Sequence, residues 1–257
     1  MSQAKSRKTP WGPLAISEKQ TVQVKLGDLV LWMRKEEPEL LVAHAYGNNA
    51  QPAETGWTRL WVEGAELYLA PALPDLPVVV RTEHPFCLPP DHSADLTVVL
   101  PLWAQLRIDT APLPLLDFPT VPLSKSWFGT FTDGALSYWV HSDLWRGNSL
   151  PNVSPCEGLL AIHVSNNAHE MLQVDHFAIP APSLSLYSDG ERFWLESLTF
   201  SYRGQRLHTQ TRRRARAPRA AGRSTEVAAA RESAPRTFAG RVFGRRGELP
   251  GIGVRFR

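Results

Sequence analysis

Alternating apolar and polar residues along the first 202 positions predict short β-strands. The segment Thr21–Leu26 (TVQVKL) places an apolar side chain at every second position, which is typical of a strand with one buried face. Gly27 and Asp28 then give a turn signal before Leu29–Met33, so the two segments are expected to form a hairpin. Because no segment of this region repeats apolar residues at helical spacing over about a dozen positions, the fold is predicted to be all-β.

The stretch Leu67–Ile108 is rich in β-branched residues and is expected to contribute three strands to one sheet. Val78–Val80 and Thr97–Val99 favour a pleated surface because their side chains are stiff at the first torsion. Proline clusters at 71–77 and 85–90 separate the apolar runs. Since proline lacks a backbone donor, these clusters are expected at strand ends and turns.

Further alternating segments follow a proline-rich stretch, 109–122, which we expect to be an extended crossing segment or a linker. They predict two hairpins, formed by 158–165 with 171–179 and by 184–187 with 192–202. Roughly a dozen strands at spacings of about 8–12 residues indicate an antiparallel β-sandwich. Two stacked sandwich-like halves, divided near residue 115, are the preferred architecture, and one continuous sandwich is the alternative.

Charge sets the C-terminal end of the chain apart. Residues 203–257 hold 15 Arg and 3 Glu, a formal charge of 15 − 3 = +12, whereas residues 1–202 hold 13 basic and 22 acidic residues, or 13 − 22 = −9. The C-terminal segment has no strand periodicity and no Trp, so it is predicted to be a disordered, Arg-rich tail. An atypical or frame-shifted terminus is one interpretation, and a tail folded back on the acidic body is another.

These patterns divide the chain into four predicted parts: a disordered arm (1–10), an N-terminal β domain (11–114), a C-terminal β-sandwich domain (115–204) and a basic, low-order tail (205–257). The longest apolar runs are far shorter than the roughly 20 residues that span a bilayer. The polar N-terminus lacks the apolar core of a secretory signal, so a cytoplasmic protein is expected. We expect Cys87 and Cys156 to be buried thiols rather than a disulfide.

Candidate metal-binding residues are present without the spacing of a known site. Four residues of zinc-ligand type lie close together in the sequence: His84, Cys87, Asp91 and His92. Their spacing matches no standard zinc motif. His163 and His176 would face each other across the predicted hairpin, but no third ligand accompanies them. The sequence therefore predicts no metal and no cofactor.

Candidate catalytic residues are equally unsupported. Ser126, Asp133 and His141 are the residue types of a hydrolase triad, yet no GxSxG turn accompanies them. No glycine-rich loop of phosphate-binding type is present either. We therefore expect no catalytic residues and a protein that is not an enzyme.

Two groups of residues are candidate binding sites. The first is an arginine cluster that would neutralise phosphates of nucleic acid or approach anionic lipid: Arg212, Arg213, Arg214, Arg216 and Arg219. The second is a set of aromatic residues that would form a carbohydrate- or partner-binding patch, with core packing as the alternative: Trp127, Tyr138, Trp139 and Trp145.

Several short blocks carry a family resemblance. They are WGP (11–13), PALPDLPVVVR (71–81), PLW (101–103), LSKSWFG (123–129) and LSLY (184–187). Over residues 11–204 the sequence resembles a prokaryotic family known as domain of unknown function family 432. The resemblance implies no activity or catalytic residues. It implies a channel- or envelope-stress-associated role, because relatives are encoded beside mechanosensitive-channel genes, and it implies a less basic C-terminus than this chain has.

The function most consistent with these patterns is that of a non-enzymatic β-sandwich protein that binds another protein or a surface. The protein partner is unknown. One alternative is nucleic-acid or anionic-surface binding through the Arg-rich tail, and another is a carbohydrate-binding module built on the aromatic residues.

Overall fold

The computed structural model describes residues 9–48, 51–52, 56–129, 134–146, 150–204, 209–233 and 243–244. Of these residues, 56% lie in strands and 3% in helices, which confirms the predicted all-β fold.

The strands are short and numerous. The first ten are β1 (Gly12–Pro13), β2 (Thr21–Leu26), β3 (Leu29–Glu36), β4 (Glu39–Tyr46), β5 (Thr58–Trp61), β6 (Leu67–Ala72), β7 (Val78–Leu88), β8 (Ser93–Pro101), β9 (Trp103–Ile108) and β10 (Leu116–Pro119). The others are β11 (Ser124–Phe128), β12 (Ala135–His141), β13 (Trp145–Arg146), β14 (Glu157–Asn166), β15 (Leu172–Ile179), β16 (Leu186–Ser188), β17 (Phe193–Leu195), β18 (Ser197–Tyr202), β19 (Gln210–Arg214), β20 (Thr225–Ala228) and β21 (Phe243–Gly244). Two 3-10 turns are also present, Ala181–Ser183 and Arg219–Ala221.

The chain forms two compact units, each assembled from separate stretches. Unit 1 comprises 1–72, 102–122 and 154–156, and unit 2 comprises 73–101, 123–153 and 157–257. This grouping differs from the single division predicted near residue 115. The difference arises because strands that are neighbours in sequence, such as β8 and β9, pair within different units.

Unit 1 contains two antiparallel sheets. Sheet A has the order β1-β6-β9-β10, and sheet B has the order β2-β3-β4-β5. Alternate residues of β3, namely Leu29, Leu31 and Met33, are fully buried in a core shared with Leu69 and Leu106 of sheet A. The proline-rich stretch expected to be a crossing segment or a linker supplies β10, which pairs with β9.

The hairpin predicted from the first alternating segments is confirmed, since β2 pairs with β3 around Gly27 and Asp28. Gly27 has φ +64°, and a Cβ at this position would lie 2.9 Å from the carbonyl oxygen of Thr120. That oxygen accepts hydrogen bonds from the backbone N–H groups of Asp28 (2.9 Å) and Leu29 (3.1 Å). Glycine is therefore required by both the turn conformation and the close approach of another chain segment.

Unit 2 contains two mixed sheets. Sheet C has the order β11-β12-β7-β15-β21. Sheet D has the order β13-β8-β14-β17-β16-β20, with β18 paired to β14 and β19 paired to β18. The pairs β12–β7, β14–β17 and β14–β18 are parallel, so the predicted antiparallel arrangement holds for the remaining pairs only. Phe177 of sheet C and Phe200 of sheet D lie in contact, with ring centroids 6.4 Å apart, between the inward faces.

The hairpin predicted from 158–165 and 171–179 does not form. Strand β14 pairs with β8 in sheet D, whereas β15 pairs with β7 in sheet C. Between them, the Asn166 side-chain amide donates to the carbonyl oxygens of Leu88 and Glu170, both at 2.8 Å, and its oxygen accepts the N–H of Ala168 at 3.0 Å. These bonds fix a wide corner at which the chain leaves one sheet for the other, so His163 and His176 lie on different sheets.

The described part of the C-terminal segment is ordered by pairing with the body of unit 2. Strand β19 extends sheet D beside β18, and β20 pairs with β16. Between these strands, Ala217 and Ala221 pack against Trp194 and Leu159. Residues 209–233 thus differ from the predicted low-order tail, because backbone pairing and small apolar side chains bind this segment to the sheet despite its high charge.

Candidate binding surface

The outward face of sheet D carries polar side chains in register across four strands. Opposed residues on neighbouring strands point to the same face. One row consists of Asp95, His163, Thr199 and Arg212, and the next consists of Ser93, Ser165, Ser201 and Gln210. We call these two rows, together with Arg214, the hydroxyl–arginine face. The alternate residues on β8, β14 and β18, including Leu96, Ile162 and Leu198, are buried in the core.

Solvent reaches the charged members of this face. The side chain of Asp95 is 80% exposed and that of His163 is 43% exposed, and His163 Nδ1 lies 2.7 Å from Asp95 Oδ1. A pair this exposed adds little to stability. Its consequence is local, because it places a hydrogen-bonded His–Asp pair at one end of a row whose other end is the exposed Arg212.

The predicted arginine cluster is divided between the two sides of β19. Arg212 and Arg214 point outward with Thr199 and Ser197, whereas Arg213 lies opposite the buried Leu198. The Arg213 guanidinium donates to the carbonyl oxygen of Ser183, and its Nε lies 3.3 Å from Glu196 Oε2. Arg213 therefore lies on the other side of β19 from Arg212 and Arg214, with its side chain 33% exposed, and the five predicted arginines do not form one surface.

The other two predicted arginines lie beyond β19. Arg216 is exposed, and its backbone N–H donates to the carbonyl oxygen of Arg214 at 2.7 Å. Arg219 is also exposed and begins the second 3-10 turn. Neither belongs to the strand rows that form the hydroxyl–arginine face.

Glu196 is the carboxylate that holds Arg213. Glu196 is only 3% exposed. Burial raises the pKa of Glu196, although attraction from Arg213 opposes that rise. The pair joins the C-terminal strand to the body of unit 2 and is structural.

The predicted aromatic patch does not form a single platform. Trp127 is 42% exposed on β11. Tyr138 is buried and donates to Asp75 Oδ1 at 2.9 Å. Trp139 points to the opposite face of sheet C, since it pairs with Ser124 whereas Tyr138 pairs with Lys125. Trp145 belongs to sheet D, opposite Thr97.

The candidate metal-ligating residues noted in the sequence do not come together to form a metal site among the described residues. The ring nitrogen Nδ1 of His92 lies 2.7 Å from the carbonyl oxygen of Pro90, within the turn after β7. Across the described ranges, no group of three or more His, Cys, Asp or Glu side chains is placed to hold a metal ion. The two cysteines do not form a disulfide, and Cys156 is buried as predicted, but Cys87 is exposed because it occupies an outward position on β7.

The residues of the sequence-level triad are only partly described. Ser126 lies on β11, opposite Ser137, and His141 ends β12. Asp133 lies outside the described residues. Sequence reasoning missed Thr199, Ser201 and Ser165 as members of a common face. Their alternation with buried residues on β14 and β18 was visible, but the parallel pairing that aligns them was not.

No helix among the described residues is long and apolar enough to cross a membrane.

Comparison with protein families gives a match over most of the chain. The family model described as Protein of unknown function (DUF432) matches residues 10–246. Searches of curated proteins and of solved structures gave no match. The matched range includes most of residues 205–257, the segment predicted to be a basic tail or an atypical or frame-shifted terminus. The chain therefore belongs to the DUF432 family.

Proposed function

We propose that this protein is a non-enzymatic β-sandwich protein that binds another protein through the hydroxyl–arginine face. The observation that carries the proposal is the register of Asp95, His163, Thr199 and Arg212 across four neighbouring strands, which places these polar side chains on one face. The proposal includes no catalytic step.

The chemistry of this face favours an acidic partner. Arg212 and Arg214 are exposed, and neither forms an ion pair with any described residue. Arginine is enriched at protein interfaces because its planar guanidinium binds carboxylates in bidentate fashion. The short hydroxyl side chains beside these arginines allow a partner backbone or side chain to approach closely. The channel- or envelope-stress-associated role implied by the family resemblance stays a prediction.

Nucleic acid or another anionic surface is a second candidate, supported by the same two arginines. Phosphate contacts from Arg release counterions and give sequence-independent affinity. Because Arg213 lies on the other side of β19, the hydroxyl–arginine face contains only Arg212 and Arg214 of the predicted arginine cluster. We therefore expect the affinity for duplex DNA to depend only weakly on salt, with a log–log slope of about −2. No observation favours the carbohydrate-binding alternative, since its aromatic residues occupy two sheets.

The test compares two charge-matched double variants of the full chain. Polyglutamate represents an acidic protein surface, and a short DNA duplex represents nucleic acid; binding of each is followed by fluorescence anisotropy at low and high salt. We expect R212E/R214E to weaken polyglutamate binding at least about tenfold, whereas R216E/R219E leaves it nearly unchanged.

Two results would count against this assignment. Equal losses in both variants would show that charge alone, and not the hydroxyl–arginine face, determines binding. Tighter binding of the duplex than of polyglutamate, lost in R212E/R214E, would replace the protein partner by nucleic acid.

A further inference from the structure

A row of three basic side chains crosses the face of sheet C opposite to that of Phe177. Arg81 of β7 lies in register with His141 of β12 on one side and with His176 of β15 on the other. Neighbouring strands lie about 4.8 Å apart, and opposed side chains share a face. A guanidinium group is therefore flanked by two imidazoles.

An aromatic cluster supports this row. The ring centroid of Trp139 lies 6.4 Å from that of His141 and 5.7 Å from that of His176. Phe128 contacts the other side of His176, with centroids 5.9 Å apart. Trp139 and Phe128 also pack with residues of the neighbouring strands β7 and β15. The imidazoles are thus held by packing and not by exposed loops.

The charges around the row leave one cation uncompensated. Arg81 is exposed, and among the described residues it forms no ion pair. His176 is only 4% exposed, and its Nδ1 lies 3.4 Å from Oδ2 of the buried Asp175. His141 and Glu83 are exposed, Glu83 being the next residue on the same face of β7. The guanidinium and imidazole N–H groups of this row are hydrogen-bond donors that can bind an anion.

We propose that Arg81, His141 and His176 form a binding site for phosphate or a phosphate ester. Arg81 offers a planar fork of N–H donors that matches a phosphate oxyanion in bidentate geometry. His141 is exposed and donates a further hydrogen bond. The buried His176, held by Asp175 and packed on Trp139 and Phe128, is a positioning residue that fixes one end of the row.

The site is tested on the full chain by calorimetric titration with inorganic phosphate and with adenosine monophosphate. R81M removes the guanidinium while retaining a long apolar chain, and H141Q keeps a hydrogen-bonding group without the ring. We expect each to lower the affinity for phosphate at least about tenfold, because each removes a charge-assisted or ring hydrogen bond. Tighter binding of adenosine monophosphate would identify the ligand as an ester that also contacts Trp139.

The matched control is K125M. It removes one positive charge from an exposed residue of the same sheet, but Lys125 pairs with Tyr138 and so points to the other face. Its affinity for phosphate is expected to equal that of the unmodified chain. The proposal is overturned if R81M and K125M behave alike, or if neither ligand binds. Thermal melts of all variants exclude misfolding as the cause.

Discussion

A single carboxylate organises the turn between β16 and β17. Asp189 Oδ1 accepts the backbone N–H groups of Glu191 (2.9 Å) and Arg192 (2.7 Å), and Oδ2 accepts the indole N–H of Trp194 at 2.7 Å. Burial by itself would raise the pKa of Asp189. The hydrogen bonds from Trp194, Arg192 and Glu191 outweigh burial, so the pKa is lowered below its ordinary value.

We expect D189N to destabilise the fold by about 1–2 kcal/mol at pH 7, because the neutral amide has one acceptor oxygen and cannot reproduce three charge-assisted bonds. A lowered folded-state pKa gives stability that is present above the ordinary carboxyl pKa and is lost as pH falls through the folded value. The difference between D189N and the unmodified chain should therefore shrink towards about pH 3. Urea unfolding at pH 7 and at about pH 3 measures this difference in the free energy of unfolding. D95N, at an exposed pair, is the control, and a pH-independent difference would contradict the role given to ionised Asp189.

At this turn, the hairpin was predictable from the sequence, whereas one of its side-chain hydrogen bonds was not. The hairpin of 184–187 with 192–202 was predicted, and its turn contains Ser188, Asp189 and Gly190, residue types that favour turns wherever they occur. The bond to Trp194 was not predictable, since it depends on which side of β17 packs into the core. The same limit applies to Arg213, whose inward direction is set by its opposition to Leu198 and not by its neighbours in the sequence.

At the scale of elements, β19 is an edge strand whose two faces have different roles. Arg213 on the inward side pairs with the buried Glu196, whereas Arg212 on the outward side lies opposite Thr199 in solvent. Charged residues on an edge strand also oppose pairing with other chains. One strand thus combines attachment to the sheet with a candidate binding surface.

R213M is expected to destabilise the fold by about 1–2 kcal/mol, because it leaves the buried Glu196 without a cation that is itself only partly buried. R212M changes the same charge on the same strand and should alter stability by no more than about 0.5 kcal/mol. Chemical unfolding of both variants, followed by tryptophan fluorescence, compares them. Equal effects would indicate that the contact between Arg213 and Glu196 does not stabilise the fold.

Pairings between adjacent segments were predictable from the sequence, whereas long-range pairings were not. The β2–β3 hairpin is defined by six alternating residues and a two-residue turn, all within one short window. The pairing of β12 with β7 is parallel and joins segments about sixty residues apart, so no local pattern specifies it. The row of Arg81, His141 and His176 depends on that pairing, which is why no sequence motif indicated it.

For the whole molecule, the structure shows where the described part of the basic C-terminal segment lies relative to the acidic residues that precede it in the sequence. The C-terminal segment was predicted either to be disordered or to fold back on the acidic body, and residues 209–233 fold onto unit 2. Arg231 Nε donates to the carbonyl oxygen of Leu73 at 2.7 Å, and the N–H of Glu232 donates to that of Pro182 at 3.0 Å. This segment is therefore part of the folded unit and not an appended arm.

The folding of unit 2 should consequently depend on where the C-terminal segment is cut. A chain ending at residue 204 loses β19, β20 and the alanines that cover Trp194 and Leu159, and it leaves β18 as an open edge. We expect it to melt without a cooperative transition, bind a hydrophobic dye and aggregate. A chain ending at residue 233 keeps these contacts, loses only the short β21 beside β15 among the described strands, and should melt cooperatively. If the chain ending at 204 melted like the full chain, the segment would contribute nothing to the stability of unit 2, and its pairing would have to be explained by function alone.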